Sequence, residues 1–211
     1  MKILGISTAT KVASVAVIDD VATPHATSLL AEFTSAEIKS EDIIVLIDRI
    51  CKDINFDIKN IDAIAVATGP GSYSGLRGGL AAAKSLAQVL NVPLAGVSTL
   101  EAIAYNFAGT EGTIAVVLDA VRDENNFALF TSDSKTIRRL TDDMVVSKTR
   151  VAELLSGIKG NIRVTGPSDN LAYGKSVAMI GLARIKCGKT EDYLSLVPEY
   201  SHMPNIREYK K

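Results

Sequence analysis

The residues with the most potential for chemistry lie in a glycine-rich stretch at residues 69–79, Gly-Pro-Gly-Ser-Tyr-Ser-Gly-Leu-Arg-Gly-Gly. The stretch follows a run typical of a buried strand and leads into a predicted helix, whose free N–H groups can bind an anion. Ser72, Ser74 and Arg77 add two hydroxyl donors and a positive charge. The pattern predicts a phosphate or carboxylate site. The alternative is a tight strand-to-helix turn that needs glycine for its dihedral angles, with Arg77 in a structural ion pair.

The glycine spacing does not match the commoner nucleotide-binding or hydrolase motifs. Gly69, Gly71 and Gly75 leave one residue too many for the dinucleotide fingerprint G-x-G-x-x-G. A P-loop requires lysine after its last glycine, whereas Leu76 follows Gly75. No serine in the stretch has the flanking glycines of the hydrolase elbow G-x-S-x-G. The spacing therefore indicates a close approach of the backbone to another group without specifying which group.

Side chains suited to catalysis or metal binding are scarce. The two histidines, His25 and His202, have no histidine four residues away, and no cysteine–histidine spacing fits zinc. The best acids, Asp119 and Glu124, lie in a predicted hairpin turn, where turn formation or hydrogen bonding is the favoured interpretation. The sequence therefore predicts a binding protein with no catalytic residue and no metal site.

Composition and charge describe an ordinary globular chain. It has 211 residues, of which 47% are hydrophobic and 22% charged, and its net charge is −1. This balance disfavours tight, direct binding of nucleic acid, which depends on clustered Lys and Arg. The apolar N-terminal run is too short for a signal peptide, and no run is long enough to span a membrane. Cys51 and Cys187 are interpreted as reduced packing residues. We therefore expect a soluble, cytoplasmic protein.

Apolar patterning predicts the order strand, strand, strand, helix, strand, helix twice along the chain. The predicted strands are 3–6, 12–18, 27–34, 61–68, 93–97, 114–118, 127–131, 135–140 and 162–165. The predicted helices are 41–52, with a capping hydroxyl at Ser40, and then 74–90, 98–107, 149–156 and 169–187. The repeat predicts an α/β fold of two lobes with a mixed sheet in each, the second lobe being reduced.

Two predicted helices carry more apolar or small-residue surface than one lobe needs. The apolar residues of helix 41–52 include Ile43, Ile44, Leu46, Ile47 and Ile50. Helix 74–90 has a stripe of mostly tiny residues, namely Gly75, Gly78, Gly79, Ala82 and Leu86. Glycine costs about 1 kcal/mol inside a helix, so three glycines favour close packing of another helix backbone. These residues predict a helical partner interface. Burial of both helices within the chain is the alternative.

Three strings of residues resemble the TsaB family, also called YeaZ. They are 3–10 (ILGISTAT), 68–77 (TGPGSYSGLR) and 96–101 (GVSTLE), in order and at fitting separations. The central string is the most specific of the three. The resemblance is strong over residues 1–108 and thinner beyond, where Asp119-Ala120, Glu124 and Pro198-x-Tyr200 still match.

The resemblance implies an actin-like, sugar-kinase-like (ASKHA) fold with lobes at 1–108 and 109–211, the tail 195–211 packing back on the first lobe. It implies a noncatalytic subunit of the complex that transfers a threonylcarbamoyl group to adenosine in tRNA. Such a subunit docks on and activates a catalytic TsaD-like paralogue, and a TsaE-like ATPase subunit joins the same complex. It further implies a homodimer when the chain is alone, and tRNA contact only through the complex.

No tightly bound cofactor is expected, although the glycine-rich stretch or an assembled interface is compatible with weak binding of ATP or ADP. The candidate anion or nucleotide contacts are Ser7, Thr8, Gly69, Gly71, Ser72, Ser74, Gly75 and Arg77.

The chain departs from the family pattern at three places. Ser7 replaces an aspartate that helps actin-like ATPases handle the metal–nucleotide, so the resemblance does not extend to independent ATP hydrolysis. Residues 38–41 (IKSE) lack a histidine that the family often has, and the family's Asp-Ala-Arg turn is Asp119-Ala120-Val121 here. A stand-alone ATPase or kinase is a second hypothesis, which Ser7 disfavours. A glycoprotease-like peptidase is a third, disfavoured because the sequence has no metal motif or evident triad.

Overall fold

The first lobe is built on a mixed sheet of five strands. The computed structural model describes residues 1–20, 27–36, 42–133, 136–168 and 172–202. The strands of this sheet are β1 (Lys2–Ser7), β2 (Ala13–Asp20), β3 (Thr27–Ser35), β4 (Ala63–Gly69) and β5 (Leu94–Ser98). Their order is β3-β2-β1-β4-β5, with antiparallel pairing from β1 to β3 and parallel pairing from β1 to β5. β4 is buried along its whole length, as its continuous apolar run predicts for a strand covered on both faces.

The second lobe is also built on a mixed sheet of five strands. Its strands are β6 (Gly112–Asp119), β7 (Glu124–Ser132), β8 (Ile137–Arg139), β9 (Met144–Ser147) and β10 (Ile162–Thr165). Their order is β10-β6-β7-β8, and β9 pairs with the start of β7. β10 is parallel to β6 and the other pairs are antiparallel, so both sheets are mixed, as the sequence predicts.

Five α-helices and a short 3-10 helix at Ile58–Asn60 complete the described fold. The α-helices are α1 (Ile43–Asp53), α2 (Tyr73–Leu90), α3 (Thr99–Tyr105), α4 (Lys148–Ser156) and α5 (Gly174–Lys186). Serine caps three of them, because the hydroxyls of Ser72, Ser98 and Ser147 each accept a hydrogen bond from the backbone N–H three residues later. Within the described part of the chain, no helix is both long and apolar enough to cross a membrane.

The two lobes exchange their last helices. α3 packs its Leu100, Ile103 and Ala104 against β6 and β7 of the second lobe. α5, which follows the second sheet in sequence, packs against β1, β2 and β4 of the first lobe. The backbones approach so closely that a Cβ on Gly5 would lie 2.2 Å from the carbonyl oxygen of Gly174. The predicted boundary at residue 108 therefore separates the two sheets but not two independent cores.

Several predicted elements differ from those in the structure. α1 begins at Ile43 with Asp42 as N-cap and no side-chain capping bond, and the predicted cap Ser40 lies outside the described residues. β9 was not predicted, because residues 144–147 are too few for a clear period. The predicted helix 169–187 begins at Gly174 in the structure, and residues 169–171 lie outside the described ranges. The predicted tail can be described only as far as His202.

The structure corrects which residues of α1 and α2 are accessible to a partner. Ile43, Leu46, Ile47 and Ile50 lie on the inner face of α1, in the chain's own core with β1, β2 and β4. Ala82 of α2 is buried in the same core. Ile43, Leu46, Ile50 and Ala82 are therefore inaccessible to a partner in the chain as described, because one face of each helix is buried in the core while another is exposed. Ile47 is 4% exposed and still lines a groove beside α1. Ile44, at 47% exposure, and the partly buried Gly78 and Leu86 remain accessible.

Candidate functional site

A cleft of about 1120 Å³ lies between the two lobes. The first lobe contributes the hairpin turn after β1 and the start of α2, and the second lobe contributes the end of β6 and the turn after β10. The last described residues of the tail complete the lining, which comprises residues 9–11, 71–73, 117–121, 126, 166–168 and 200–202. Of the eight candidate anion contacts, Gly71 and Ser72 are among the residues that line the cleft.

Two glycines of the 69–79 stretch allow close contact with other segments of the chain. Gly69 has φ +136°, a left-handed conformation that favours glycine, and a Cβ there would lie 2.1 Å from the carbonyl oxygen of Glu199. A Cβ on Gly71 would lie 2.2 Å from the carbonyl oxygen of Ala9, which accepts the N–H of Ser72 at 2.8 Å. The close approach predicted from the sequence therefore includes contacts with the chain's own turn and tail.

The stripe of small residues on α2 accommodates Thr8. A Cβ on Gly75 would lie 2.0 Å from the carbonyl oxygen of Thr8, and one on Gly79 would lie 2.2 Å from its Oγ1. The Thr8 hydroxyl donates to the carbonyl oxygen of Gly75 at 2.7 Å. Thr8, which belongs to the same lobe, fills the space that side chains at Gly75 and Gly79 would occupy. In the chain as described, the prediction of these two glycines as partner contacts is therefore wrong.

Ser7, Thr8, Gly69 and Gly75 lie behind the wall of the cleft. Ser7 is only 1% exposed, and its hydroxyl has no hydrogen-bond partner among the described residues. Thr8 and Gly75 are buried by their contact with each other. Ser74 is exposed on the first turn of α2, outside the set of residues that line the cleft.

Arg77 belongs to a cluster of aromatic side chains at the edge of the cleft. Its Nε donates to the Tyr200 hydroxyl at 3.0 Å, and its guanidinium lies 4.3 Å from the ring centroid of Tyr73. The rings of Tyr73 and Tyr200 stack with their centroids 4.9 Å apart. The hydrogen bond from Arg77 to Tyr200 raises the pKa of the exposed guanidinium above its ordinary value, so Arg77 stays charged. The partner is a phenol rather than the acid of the predicted ion pair.

The end of the described tail crosses the cleft to the second lobe. Ser201 Oγ donates to Oδ1 of the buried Asn126 at 2.5 Å. His202 Nε2 lies 2.8 Å from Glu124 Oε2. Sequence reasoning noted Glu124 and His202 separately and missed the pair, because 78 residues separate them. Among the described residues, no group of three His, Cys, Asp or Glu side chains could hold a metal ion.

A separate groove of about 620 Å³ lies beside α1. Its lining comes from α1, residues 55–58 and Leu86 of α2, and it includes the charged Asp48, Lys52 and Asp57. Ile44 and Leu86 line it together with Phe56, and the neighbouring Val45 is 61% exposed. Ile44, Gly78 and Leu86 are accessible residues of the predicted partner interface. Together with the neighbouring exposed Val45 they are called the α1–α2 face.

The repeated lobes around a central cleft define the actin-like, sugar-kinase-like class of fold. A family model described as TsaD, tRNA N6-adenosine threonylcarbamoyltransferase, matches residues 34–190, well over half of the chain. The tRNA threonylcarbamoyladenosine biosynthesis protein TsaB of Bacillus subtilis is 28% identical over 130 residues, or 61% of this chain and 57% of that protein. Its namesake in Escherichia coli is 31% identical over 140 residues, or 65% of this chain and 58% of that protein. The chain therefore belongs to the family that this model describes, and within it to the TsaB (YeaZ) proteins.

The solved structure of YeaZ from Pseudomonas aeruginosa has the same fold, with a TM-score of 0.77. The alignment covers 94% of this chain and 99% of that one at 17% identity, so it supports the fold alone. The chain spans a little over half the length of the curated TsaB proteins that it matches.

Proposed function

We propose that the chain is a noncatalytic subunit of the system that makes threonylcarbamoyladenosine in tRNA. In this role it docks on a catalytic TsaD-like paralogue and helps that paralogue reach its active state. The proposal rests on the family match and on the names of the two TsaB relatives. Those relatives favour neither a stand-alone ATPase nor a peptidase.

The observation that carries the noncatalytic role is the packing of the first-lobe turn. In an actin-like ATPase, an acid at the position of Ser7 would face the metal–nucleotide. Here Ser7 is buried behind the cleft, and the backbone of Gly71 and Gly75 packs on Ala9 and Thr8. Part of the predicted phosphate site, the inner side of Gly71 and Gly75, is therefore packed against the chain's own backbone, while Gly71 and Ser72 still line the cleft. This packing supports a scaffold better than an independent ATPase.

The α1–α2 face is the docking surface in this proposal. It presents aliphatic side chains beside a groove, a combination that suits the apolar centre of a protein interface. The same face forms a homodimer when the chain is alone, because an apolar surface with no other partner can bind its own copy.

Other partners are contacted through the assembly. A TsaE-like ATPase subunit joins the complex in the cytoplasm, and tRNA contacts this chain only within the complex. ATP or ADP binds weakly, in the cleft between the lobes or at the assembled interface. The net charge of −1 agrees with a limited direct role in binding RNA.

The test is reconstitution with the purified TsaD-like and TsaE-like proteins from the same source. Complex mass is measured by light scattering, and threonylcarbamoyladenosine in tRNA is measured by mass spectrometry of nucleosides. The variant Ile44→Glu with Val45→Glu places two charges on exposed positions of the face and is expected to abolish both complex and product. Val164→Glu, exposed on β10 of the second lobe, is the matched control and is expected to change neither.

Full product without this chain would contradict the proposal. Steady ATP turnover by the pure chain would instead support the stand-alone ATPase. Chelator-sensitive cleavage of a peptide library would support the peptidase.

A further inference from the structure

A second groove runs along a different side of α2, between that helix and the tail. Its volume is about 700 Å³. Arg77, Lys84 and Gln88 line it from the helix, and Leu194 and Val197 line it from the tail. This helix–tail groove shares none of these residues with the α1–α2 face.

The tail wall of the groove is fixed in place at both ends. The N–H of Glu191 donates to the carbonyl oxygen of Leu94, and the N–H of Glu199 donates to that of Thr68, both within 2.9 Å. Between these anchors, Tyr193 and Leu196 pack against the core of the first lobe. A binding segment would therefore meet a prepared surface and would not have to order the tail.

Between the anchors, some side chains pack toward the core and others face solvent. Leu194 and Val197 point outward, with exposures of 73% and 64%. Neither is needed to hold the tail, because the partly buried Tyr193 and Leu196 pack against the core and do so. Two large aliphatic side chains exposed beside a groove indicate contact with another apolar surface.

The charge of the groove is entirely positive. Arg77 and Lys84 are the only charged side chains among the described residues that line it. Arg77 bonds to the Tyr200 hydroxyl, and Lys84 Nζ donates to the carbonyl oxygens of Leu196 and Leu194 at 2.9 and 3.5 Å. Neither forms a salt bridge within the described part of the chain. In a protein of net charge −1, this local charge favours an acidic occupant.

The geometry points to the helix–tail groove as a docking site for an acidic, apolar peptide segment of a partner protein. From Arg77 to Gln88 the helix rises about 16 Å, the length of about five residues of extended chain. Such a segment would place carboxylates on Arg77 and Lys84 and aliphatic side chains on Leu194 and Val197. RNA fits less well, because two cations over this length release few counterions and the tail wall presents the aliphatic Leu194 and Val197.

The first experiment selects short random peptides, displayed on phage, against the purified full-length chain. We expect the enriched peptides to combine acidic and large apolar residues. One enriched peptide is then synthesised with a fluorescent label, and its affinity is measured by anisotropy. A version with lysine in place of every acid is expected to lose binding.

Three variants locate the binding site. Arg77→Glu with Lys84→Glu is expected to weaken the peptide's affinity at least about tenfold. Lys159→Glu, an exposed lysine on the second lobe, is expected to leave it unchanged. Because Arg77 and Lys84 also hold the tail, Leu194→Ser with Val197→Ser is measured as well. Those two side chains are exposed, so the fold should persist while affinity falls several-fold.

The proposal is overturned by enrichment of peptides without acids, by no enrichment, or by binding that survives both double variants. A single-stranded RNA oligonucleotide is titrated in parallel. If RNA binds with the same dependence on Arg77 and Lys84 and displaces the peptide, the groove is an RNA surface instead. Loss of peptide binding with an intact subunit complex would separate this groove from the docking role of the α1–α2 face.

Discussion

At the scale of single residues, Gly75 and Thr8 form a close contact behind the wall of the cleft. The Thr8 hydroxyl donates to the Gly75 carbonyl, and the space for a Cβ on Gly75 is filled by the Thr8 backbone. This contact joins the turn after β1 to the first turn of α2. It makes the turn a rigid wall rather than an open loop that could fold around a phosphate.

Gly75→Ala is expected to lower the free energy of unfolding by about 1–3 kcal/mol, because backbone atoms must move to admit the methyl group. The measurement is urea unfolding followed by circular dichroism. Gly157→Ala is the control, since its Cβ would lie 3.7 Å from its nearest neighbour and its φ is −79°. Equal effects of the two substitutions would show that the Thr8 contact carries no strain.

The two cysteines differ in burial, and this difference predicts that their thiols differ in reactivity. Burial of Cys51, together with the carboxylates of Asp48 and Asp57, raises the pKa of its thiol above the ordinary 9.0. Cys187 is exposed. The sequence predicted packing roles for both, which agrees with the burial of Cys51 and is wrong for Cys187.

Iodoacetamide at pH 8 is expected to alkylate Cys187 at least about ten times faster than Cys51, because the thiolate is the nucleophile. Mass spectrometry of digests taken over time measures both alkylation rates, and the chain unfolded in urea is the control, in which the two rates should be similar. Equal rates in the folded chain would contradict the burial of Cys51.

The raised pKa also means that Cys51 contributes to the stability of the folded state while its thiol is protonated. That contribution is lost as the pH rises from about 9 through the raised value.

At the scale of elements, a charged cluster joins α3, α5 and the second sheet. Arg184 Nη2 of α5 lies 2.6 Å from Glu101 Oε2 of α3, and Arg139 of β8 lies 3.6 Å from the same oxygen. Arg139 also pairs with Asp143, which accepts the hydroxyl of Ser98 at 2.6 Å. The cluster is mostly shielded from water, so it fixes how the exchanged helices meet the second sheet.

Glu101→Ala is expected to lower the free energy of unfolding by roughly 1–3 kcal/mol, because it leaves two partly buried guanidinium groups without their shared acid. Glu153→Ala removes an exposed ion pair with Arg150 and is expected to change the free energy of unfolding by less than about 0.5 kcal/mol. Thermal and urea unfolding measure both. A loss no larger for Glu101 than for Glu153 would mean that solvent screens the cluster.

Most elements followed from the sequence because their signals are local. The continuous buried run of β4, for example, can be recognised within a few residues. The surface on which α5 packs could not be predicted, because it belongs to strands more than a hundred residues earlier in the chain. Thr8 beneath Gly75 was missed for the same reason.

At the scale of the whole molecule, the tail connects the two lobes across the mouth of the cleft. Tyr200 stacks on Tyr73 of the first lobe, while Ser201 and His202 bond to Asn126 and Glu124 of the second. Three consecutive residues therefore hold both walls and line the cleft between them. The distance between the lobes depends on these contacts as well as on the exchanged helices.

Ser201→Ala with His202→Ala is expected to broaden the distribution of distances between the lobes toward longer values. Spin labels are attached at Lys11→Cys and Val121→Cys, one on each wall of the cleft, in a background of Cys51→Ala and Cys187→Ser. The distance between the labels is measured by double electron–electron resonance. Lys159→Ala is the control and should keep the narrow parental distribution. An unchanged distribution in the double variant would assign the spacing to α3 and α5 alone.

The exchange of helices has a consequence for the order in which the protein forms during synthesis. Strands β1 to β5 leave the ribosome early, yet the face that α5 covers stays bare until residues 174–186 emerge. The first lobe therefore cannot follow the usual rule that N-terminal domains complete their folding first. A nascent chain halted between the two sheets would expose the apolar surface of β1 and β4 to other chains and to chaperones. The docking of α5 is thus a late event on which the complete packing of the first lobe depends.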